Sequence, residues 1–128
     1  MNPGTGLPFI AEGALTRGMA LVVGTAYPQV KVTAAANAAV IGYALNDAAS
    51  GQEVAIVPVN YAGKCKAIAG ASFSRGNVLQ AEGADGRLKV LVPGTSLQYA
   101  VGIALEDGAD GQLVDILPCF FISVGAGA

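Results

Sequence analysis

Large apolar residues alternate with glycine or alanine in two short segments of the chain, IGYAL at 41–45 and VGIAL at 101–105. A period of two puts successive side chains on opposite faces of a β-strand, so each segment predicts a strand with one bulky face and one nearly bare face. Each is followed by a turn-rich stretch, DAASGQ or DGADGQ, and then by a second alternating segment, EVAIVPV or LVDILPC. The pattern predicts two β-hairpins, each with a loop of about five residues.

These hairpins are part of an internal duplication. Residues 41–58 match residues 101–118 at an offset of 60, and residues 10–18 match residues 68–76 at an offset of 58. The identical residues of the longer match are, in the first copy, Gly42, Ala44, Leu45, Asp47, Ala49, Gly51, Gln52, Val54, Ile56 and Pro58. Two copies are too few for a solenoid, so the duplication predicts two units, about 10–59 and 68–119, whose halves share one core.

The matched positions also predict that core. The side chains expected to face it are Ile41, Leu45, Val54, Ile56, Val101, Leu105, Val114 and Ile116. Replacing either matched leucine with alanine, at Leu45 or Leu105, is expected to cost about 2–5 kcal/mol, as at other packed leucine sites.

The alanine-rich segment 33–45 would by itself also permit a helix. The second copy has Pro93 and Gly94 in the corresponding stretch, and proline inside a helix breaks it. We therefore predict about four or five strands per unit and an all-β fold. The two tandem pseudo-equivalent β units are expected to form one compact barrel or jelly-roll-like sandwich with flexible termini.

The two ends of the chain differ in composition from the repeats, since they are dominated by small residues and proline. Such segments have little apolar surface to bury. We predict a flexible amino-terminal arm at 1–8, a single β domain at 9–124 and a flexible tail at 125–128. Candidate residues for contact with a larger partner lie in or next to the arm: Asn2, Pro3, Leu7, Pro8 and Phe9.

Composition narrows the class of function. Hydrophobic residues make up 53% of the chain and charged residues 12%, against about 25% charged in an ordinary domain. Much of the surface must then consist of small or apolar groups, as on surfaces that a partner covers. The net charge is −2 and the basic residues are scattered, so we expect no nucleic-acid partner.

The same reasoning indicates the compartment. The amino-terminal sequence MNPGTGLPF has no signal-peptide pattern, and the apolar stretch between Lys31 and Asp47 is too short to span a bilayer. We expect synthesis in a cytoplasm and no membrane partner. Cys65 and Cys119 are then expected to be reduced thiols that pack as small apolar side chains.

Candidate chemistry is sparse. The chain has no histidine, which excludes Ser-His and Cys-His catalytic pairs and the common zinc sites. The DGADG turn at 107–111 looks faintly like a calcium loop but lacks the alternating ligands and the distal glutamate. The carboxylates of Glu106, Asp107 and Asp110 lie in a predicted exposed turn without an apolar pocket around them. We therefore expect no enzymatic activity, no catalytic residue, no metal, no cofactor and no small-molecule substrate.

The second hairpin carries a resemblance to a known family. Residues 100–117 combine an apolar-Gly-apolar-Ala-Leu strand, an Ala/Gly turn and an alternating valine strand. This phrase is similar to one in the capsid cement or decoration proteins of tailed bacteriophages. The resemblance implies a β-barrel or jelly-roll-like domain that binds the outside of a phage capsid as a homo-oligomer, a dimer or a trimer. Its implied partner is the major capsid protein, whose adjacent subunits it clamps, so the protein is expected on the exterior of the virion after synthesis in the cytoplasm of a bacterial host.

Two other classes remain as alternatives. An oligomeric ligand-binding module, such as a carbohydrate- or receptor-binding head or fibre domain, would need exposed aromatic platforms. The chain has no tryptophan, and its tyrosines are Tyr27, Tyr43, Tyr61 and Tyr99. A small hydrolase without histidine would depend on a carboxylate pair or a lysine base.

Overall fold

Ten β-strands form the regular structure of the computed structural model, which describes residues 7–33, 35–61, 63–83, 85–92 and 97–123. Within these ranges there is no helix, and hence none that is long and apolar enough to cross a membrane. The strands are β1 (Leu7–Ala11), β2 (Ala20–Val23), β3 (Gln29–Val32), β4 (Gly42–Ala44), β5 (Glu53–Pro58), β6 (Cys65–Ile68), β7 (Val78–Ala81), β8 (Leu88–Val90), β9 (Gln98–Ala104) and β10 (Leu113–Ser123). The predicted all-β class is confirmed, with β1–β5 as the first unit and β6–β10 as the second.

The first unit is a closed barrel in the strand order β1-β3-β2-β4-β5, with β5 pairing back onto β1. β1 runs parallel to β3, where Ala11 pairs with Val30, and the other neighbours are antiparallel. The barrel interior is filled by buried apolar side chains, namely Ala11, Leu15, Leu21, Val30, Ala44, Ala48, Val54 and Ile56.

The second unit has the strand order β6-β10-β9-β7-β8. This is the order of the first unit, read from β1 in the opposite direction around the closed barrel. β6 stands in the place of β1, β10 of β5, β9 of β4, β7 of β2 and β8 of β3. Where the first barrel closes by the β1–β3 ladder, the second has an isolated parallel bridge between Ala69 and Leu88. That bridge lies at the offset of 58 from the pair formed by Ala11 and Val30. The second unit is therefore the same barrel with a weaker closure.

The turns of the two units are built from the same hydrogen bonds. The backbone N–H of Arg17 donates to Oδ1 of Asp47 at 2.8 Å, and the backbone N–H of Arg75 donates to Oδ1 of Asp107 at 3.0 Å. Each arginine is followed by a glycine with φ near +90°, a conformation that strains any residue with a Cβ. The repeated Asp and Arg-Gly residues are thus explained by the backbone of one turn, formed twice.

The bare face of the repeated strands points into the protein, so it is not available to a partner. A Cβ added to Gly42 would lie 2.5 Å from the Val57 carbonyl oxygen, so this strand packs too closely on β5 for any side chain at that position. The bulky face is covered unevenly: Tyr43 and Val101 are fully buried, Ile41 and Leu45 are half-buried, and Leu105 is 43% exposed. The prediction that Leu105 is a core residue is therefore wrong, and a small loss of stability is expected for Leu105→Ala in place of a large one.

The expected single core is divided into two clusters. Val54 and Ile56 belong to the first barrel's interior, whereas their counterparts Val114 and Ile116 belong to a larger cluster that extends across both units. The first unit contributes to this larger cluster Ala20, Val40, Tyr43 and Val57. A strand of the first barrel is thus buried on both faces, one inside the barrel and one against the second unit.

Polar groups also fix the two units against each other. The buried hydroxyl of Tyr43 donates to the carbonyl of Val101. The Thr33 hydroxyl donates to the Gly83 carbonyl at 2.7 Å. Asn37 donates from its side-chain amide to the Leu97 carbonyl at 2.9 Å. These bonds and the shared cluster make the two units one packed body.

Candidate docking surface

The predicted contact residues divide between the barrel and the part of the chain outside the described residues. Asn2 and Pro3 lie outside the described ranges, as does the tail at 125–128. Leu7, Pro8 and Phe9 lie in β1, where Leu7 pairs with Ile56. The predicted arm at 1–8 therefore extends too far, because backbone pairing incorporates Leu7 and Pro8 into the barrel. Pro8 is exposed, and Phe9 is half-buried against the barrel core.

The second unit departs from the repeat where β10 continues past its proline. β5 ends at Pro58, whereas β10 passes a register shift after Pro118 and continues to Ser123, paired with the start of β9. We call residues 97–100 and 119–123 the open end of the β9–β10 hairpin, the end opposite its turn. Four of its side chains are between 43% and 51% exposed, namely Leu97, Phe120, Phe121 and Ile122. The ring of Phe120 stacks on that of Tyr99, with centroids 5.7 Å apart.

An open apolar groove of about 520 Å³ lies between the open end of the hairpin and the first barrel. It is lined by Ala39, Val40, Ile41, Val59, Asn60 and Phe120. Residues 59 and 60 follow β5 and residues 39–41 precede β4. The open end of the hairpin therefore lies against the end of the first barrel at which β5 ends and β4 begins.

The loop between β2 and β3 is at this same end of the barrel. Since β1 runs parallel to β3, with Ile10 opposite Gln29, the residues just before β3 lie beside the start of β1. The loop is flanked by Val23, which is 64% exposed, and carries Tyr27, which is 92% exposed. We use the name apolar end for two groups of exposed side chains. The first is Val23 and Tyr27, and the second is the set at the open end of the hairpin, namely Leu97, Phe120, Phe121 and Ile122. Its exposed apolar area is on the order of a few hundred Å².

Charged residues are sparse in the segments that form the apolar end. The sequence has none between Arg17 and Lys31, none between Lys89 and Glu106, and none after Asp115. Glu12 comes close in space, because its carboxylate accepts hydrogen bonds from Thr25, two residues before Tyr27. Lys64 and Lys66 pair with Asp115 at 3.5 and 3.0 Å, on the proximal part of β10. The hydrogen bond from Lys66 lowers the pKa of Asp115. The side chains of the apolar end are thus exposed and uncharged, with one carboxylate, that of Glu12, beside them.

The carboxylates of the calcium-like turn have structural partners. Asp107 accepts from Arg75, and Asp110 pairs with the Arg87 guanidinium at 2.9 Å. Among the described residues, no group of three or more potential metal-ligating side chains is placed to hold an ion.

The two cysteines are free thiols. Burial, with a smaller contribution from Asp115, raises the pKa of Cys65 to about 12, and burial also raises the pKa of Cys119. Because the thiolate is the nucleophile, both groups are poorly disposed to react at neutral pH. The neighbouring Tyr43 is fully buried, and desolvation raises the pKa of its hydroxyl well above the usual value.

Sequence reasoning missed both parts of the apolar end. The sequence carries a signal for one part: residues 119–122 are all apolar, CFFI, whereas the aligned residues 59–62 of the first copy are VNYA and include Asn60. Tyr27 has a weaker signal: it occupies a turn position where the second copy has Asp85.

The fold defines a class of tandem, pseudo-symmetric small β-barrels. No protein-family model and no curated protein matches the chain. Among solved structures it is similar to the N base of the head fiber gp8.5 of bacteriophage phi29, with a TM-score of 0.66 and 21% sequence identity. The match covers 88% of this chain and 91% of that one. This likeness extends over nearly the whole length of both chains and concerns the fold.

Proposed function

We propose that the protein is a structural component of a phage virion, which binds the outer surface of the head and stabilises it by clamping adjacent subunits of the major capsid protein. The observation that carries the proposal is the apolar end, a set of exposed, uncharged apolar side chains to which both units contribute. The likeness in fold to a phage head-fiber base supports the viral context. The proposal includes no catalytic step, no cofactor, no nucleic acid and no membrane.

The size of the apolar end also bears on how the protein binds. A standard interface buries about 800 Å² on each partner, more than an apolar patch of a few hundred Å² can supply. We therefore include the amino-terminal segment with Asn2 and Pro3 in the docking surface. We also propose that the protein acts as a homo-oligomer, a dimer or a trimer, because linked copies bind a repeating surface more tightly than single ones.

Binding of this kind is expected to depend little on salt. Screening acts on exposed charges, and the side chains of the apolar end carry none; the neighbouring Glu12 carboxylate is already bonded to Thr25. A protein that bound the capsid through ion pairs would instead lose affinity as the ionic strength rises.

The proposal is tested by the temperature at which heads release their DNA. Three kinds of particle are compared: with the full-length protein, with a variant lacking residues 1–6, and without the protein. The deletion stops at residue 6 because Leu7 belongs to β1. We expect full-length protein to raise the release temperature, with a smaller rise for the shortened variant. Equal release temperatures for all three particles would contradict the clamping role.

A double variant, Phe121→Ser with Ile122→Ser, tests the apolar end directly, with Leu105→Ser as a control at an exposed leucine outside it. We expect the double variant to lose head binding and the control to retain it. If the double variant changes the oligomeric state but binds heads normally, the apolar end is an interface between copies and not the docking surface.

A second candidate function is the base of a head fibre, which the likeness to the phi29 head-fiber base favours. A fibre base would bind the head without stabilising it, so its removal would leave the release temperature unchanged and reduce attachment of virions to host cells. The two functions thus predict opposite results in these two assays.

A further inference from the structure

The most exposed aromatic side chain among the described residues is Tyr27, at the tip of the loop between β2 and β3. A large ring in water has no role in the packing of its own chain, since 92% of the residue is open to solvent. Tyrosine combines a large apolar area with a polar tip and few rotatable bonds, which makes it a frequent anchor in protein interfaces.

The loop that carries Tyr27 is held in place by hydrogen bonds on both sides of the ring. The carboxylate of Glu12 accepts from the Thr25 backbone N–H at 2.5 Å and from the Thr25 hydroxyl at 2.7 Å. The Gln29 backbone N–H donates to the Ala26 carbonyl at 2.7 Å. The two bonds from Thr25 also hold the pKa of Glu12 below its usual value, so the carboxylate stays ionised at neutral pH. The backbone on either side of Tyr27 is thus held in place, so little backbone freedom remains to be lost on binding.

The matching loop of the second unit indicates that the fold does not require an aromatic residue here. At the offset of 58, Asp85 replaces Tyr27, and its carboxylate lies 3.7 Å from the Arg87 guanidinium. One backbone bond is common to the two loops: Gly24 N–H donates to the Gln29 carbonyl, and Glu82 N–H donates to the Arg87 carbonyl, at 2.9 and 2.8 Å. Their backbones otherwise differ, because Gly86 has φ +74° where the first unit has Pro28. The first loop carries an exposed tyrosine and the second an ion pair.

We propose that Tyr27 is the anchor with which the first barrel docks on the phage head. Its ring enters an uncharged apolar pocket on the outer surface of the major capsid protein, and its hydroxyl donates to an acceptor at the pocket's base. Glu12 acts as a positioning residue, through Thr25. This inference rests on the proposed function and adds to it the residue and the chemistry of the contact.

The test measures binding of labelled protein to heads that lack it, assembled from the major capsid protein of the phage whose genome encodes this chain. Tyr27→Ala is expected to weaken binding by about 10- to 100-fold, the range of an anchor residue. Tyr27→Phe is expected to lose a smaller factor, because it retains the ring. Glu12→Ala, which frees the loop but keeps the tyrosine, is expected to fall between Tyr27→Ala and the wild-type protein.

The matched controls are Asp85→Ala, at the equivalent position of the second unit, and Leu105→Ala, at an exposed leucine outside the apolar end. Both are expected to bind within about 2-fold of wild type. Tyr27→Ala is expected to leave the melting temperature unchanged, because the ring packs on nothing in its own chain. This separates a docking role from a structural one.

The inference is overturned if wild-type protein binds heads and Tyr27→Ala binds equally well, while the proposed function then stands. It is also overturned if Tyr27→Ala binds heads normally but fails to bind host-cell glycans that the wild-type protein binds, since Tyr27 would then serve a receptor. If the wild-type protein itself does not bind heads, both the inference and the proposed function fail.

Discussion

The two units of the chain share their turns and differ at one end. Gly18 N–H donates to the Ala44 carbonyl at 2.8 Å, and its counterpart Gly76 N–H donates to the Ala104 carbonyl at 2.7 Å. At the other end, the first barrel closes with a β1–β3 ladder and exposes Tyr27, whereas the second closes with one bridge and extends its last hairpin to Ser123. The duplicated residues are therefore those that the turns and the core of each unit require, and the residues of the exposed apolar end are among those that differ.

This division explains why the duplicated residues reveal the fold more than the function. A repeated Asp, Gly or Gln identifies a hydrogen bond or a φ value that each unit needs, as Asp47 and Asp107 do. The residues that diverged are free of that requirement. In a duplicated protein without catalytic residues, we infer that candidate contact residues are found by comparing the copies for what they do not share.

The largest effect is expected from truncating the matched core. Ile56→Ala and Ile116→Ala each empty a fully buried site, so each is expected to lower the free energy of unfolding by about 2–5 kcal/mol. Leu105→Ala serves as the exposed control and is expected to lose less than about 1 kcal/mol. Urea denaturation measures all three. A loss below about 1 kcal/mol at either isoleucine would contradict the equivalence of the two units.

The next effect concerns the contact that couples the units. Tyr43→Phe keeps the ring but removes the donor to the Val101 carbonyl, which leaves a buried acceptor without its partner. We expect a loss of about 1–3 kcal/mol in the free energy of unfolding. Ile103, at the matching position of the second unit, has no such group, so the effect is specific to one copy. Unchanged stability in Tyr43→Phe would mean that this bond does not couple the units.

A smaller effect is expected in the matched turns. Asp47→Ala and Asp107→Ala each remove an exposed acceptor for a backbone N–H, and each is expected to lose about 0.5–1.5 kcal/mol. The two losses should agree within about 0.5 kcal/mol, and Asn at either site should restore most of the loss because its amide oxygen accepts in the same place. Thermal melts with and without calcium add a control. Stabilisation by calcium that disappears in Asp107→Ala would instead make this turn a metal site.

The smallest effect concerns pH, through one carboxylate in each unit. Hydrogen bonds from Thr25 lower the pKa of Glu12, and the bond from Lys66 lowers the pKa of Asp115. A folded-state pKa below the unfolded one contributes stability that is complete above the unfolded value, about 4, and is lost as the pH falls through the folded value. The melting temperature is expected to fall below about pH 4, and less steeply in a Glu12→Gln, Asp115→Asn double variant. An identical acid profile in that variant would contradict the assignment.

The fold could be predicted from the sequence to the extent that it depends on local signals. Turn residues and a period of two are local, and the duplication excluded a helix at 33–45 through Pro93. The orientation of the repeated strands was not predictable in this way. Gly42 faces inward because β5 packs closely on it, and that depends on a partner strand and not on the alternation itself.

The candidate site was less predictable for the same reason. Leu7 is part of β1 because it pairs with Ile56, far away in sequence, so composition alone assigned it to a free arm. Exposure of Phe121 depends on the register shift in β10 and on the reach of β9. Such pairings are decided by tertiary structure, whereas the low charge that suggested a covered surface is a property of the sequence.

The central claim is that this protein binds the outside of a phage head through its apolar end. Electron cryomicroscopy of purified virions tests it most directly, because the tandem barrels have a recognisable shape and the apolar end has a known place in it. We predict density for the two units on the outer surface of the head, with Tyr27 and Phe121 facing the shell. Absence of the protein from the head, or an orientation in which the apolar end faces solvent, would contradict the claim.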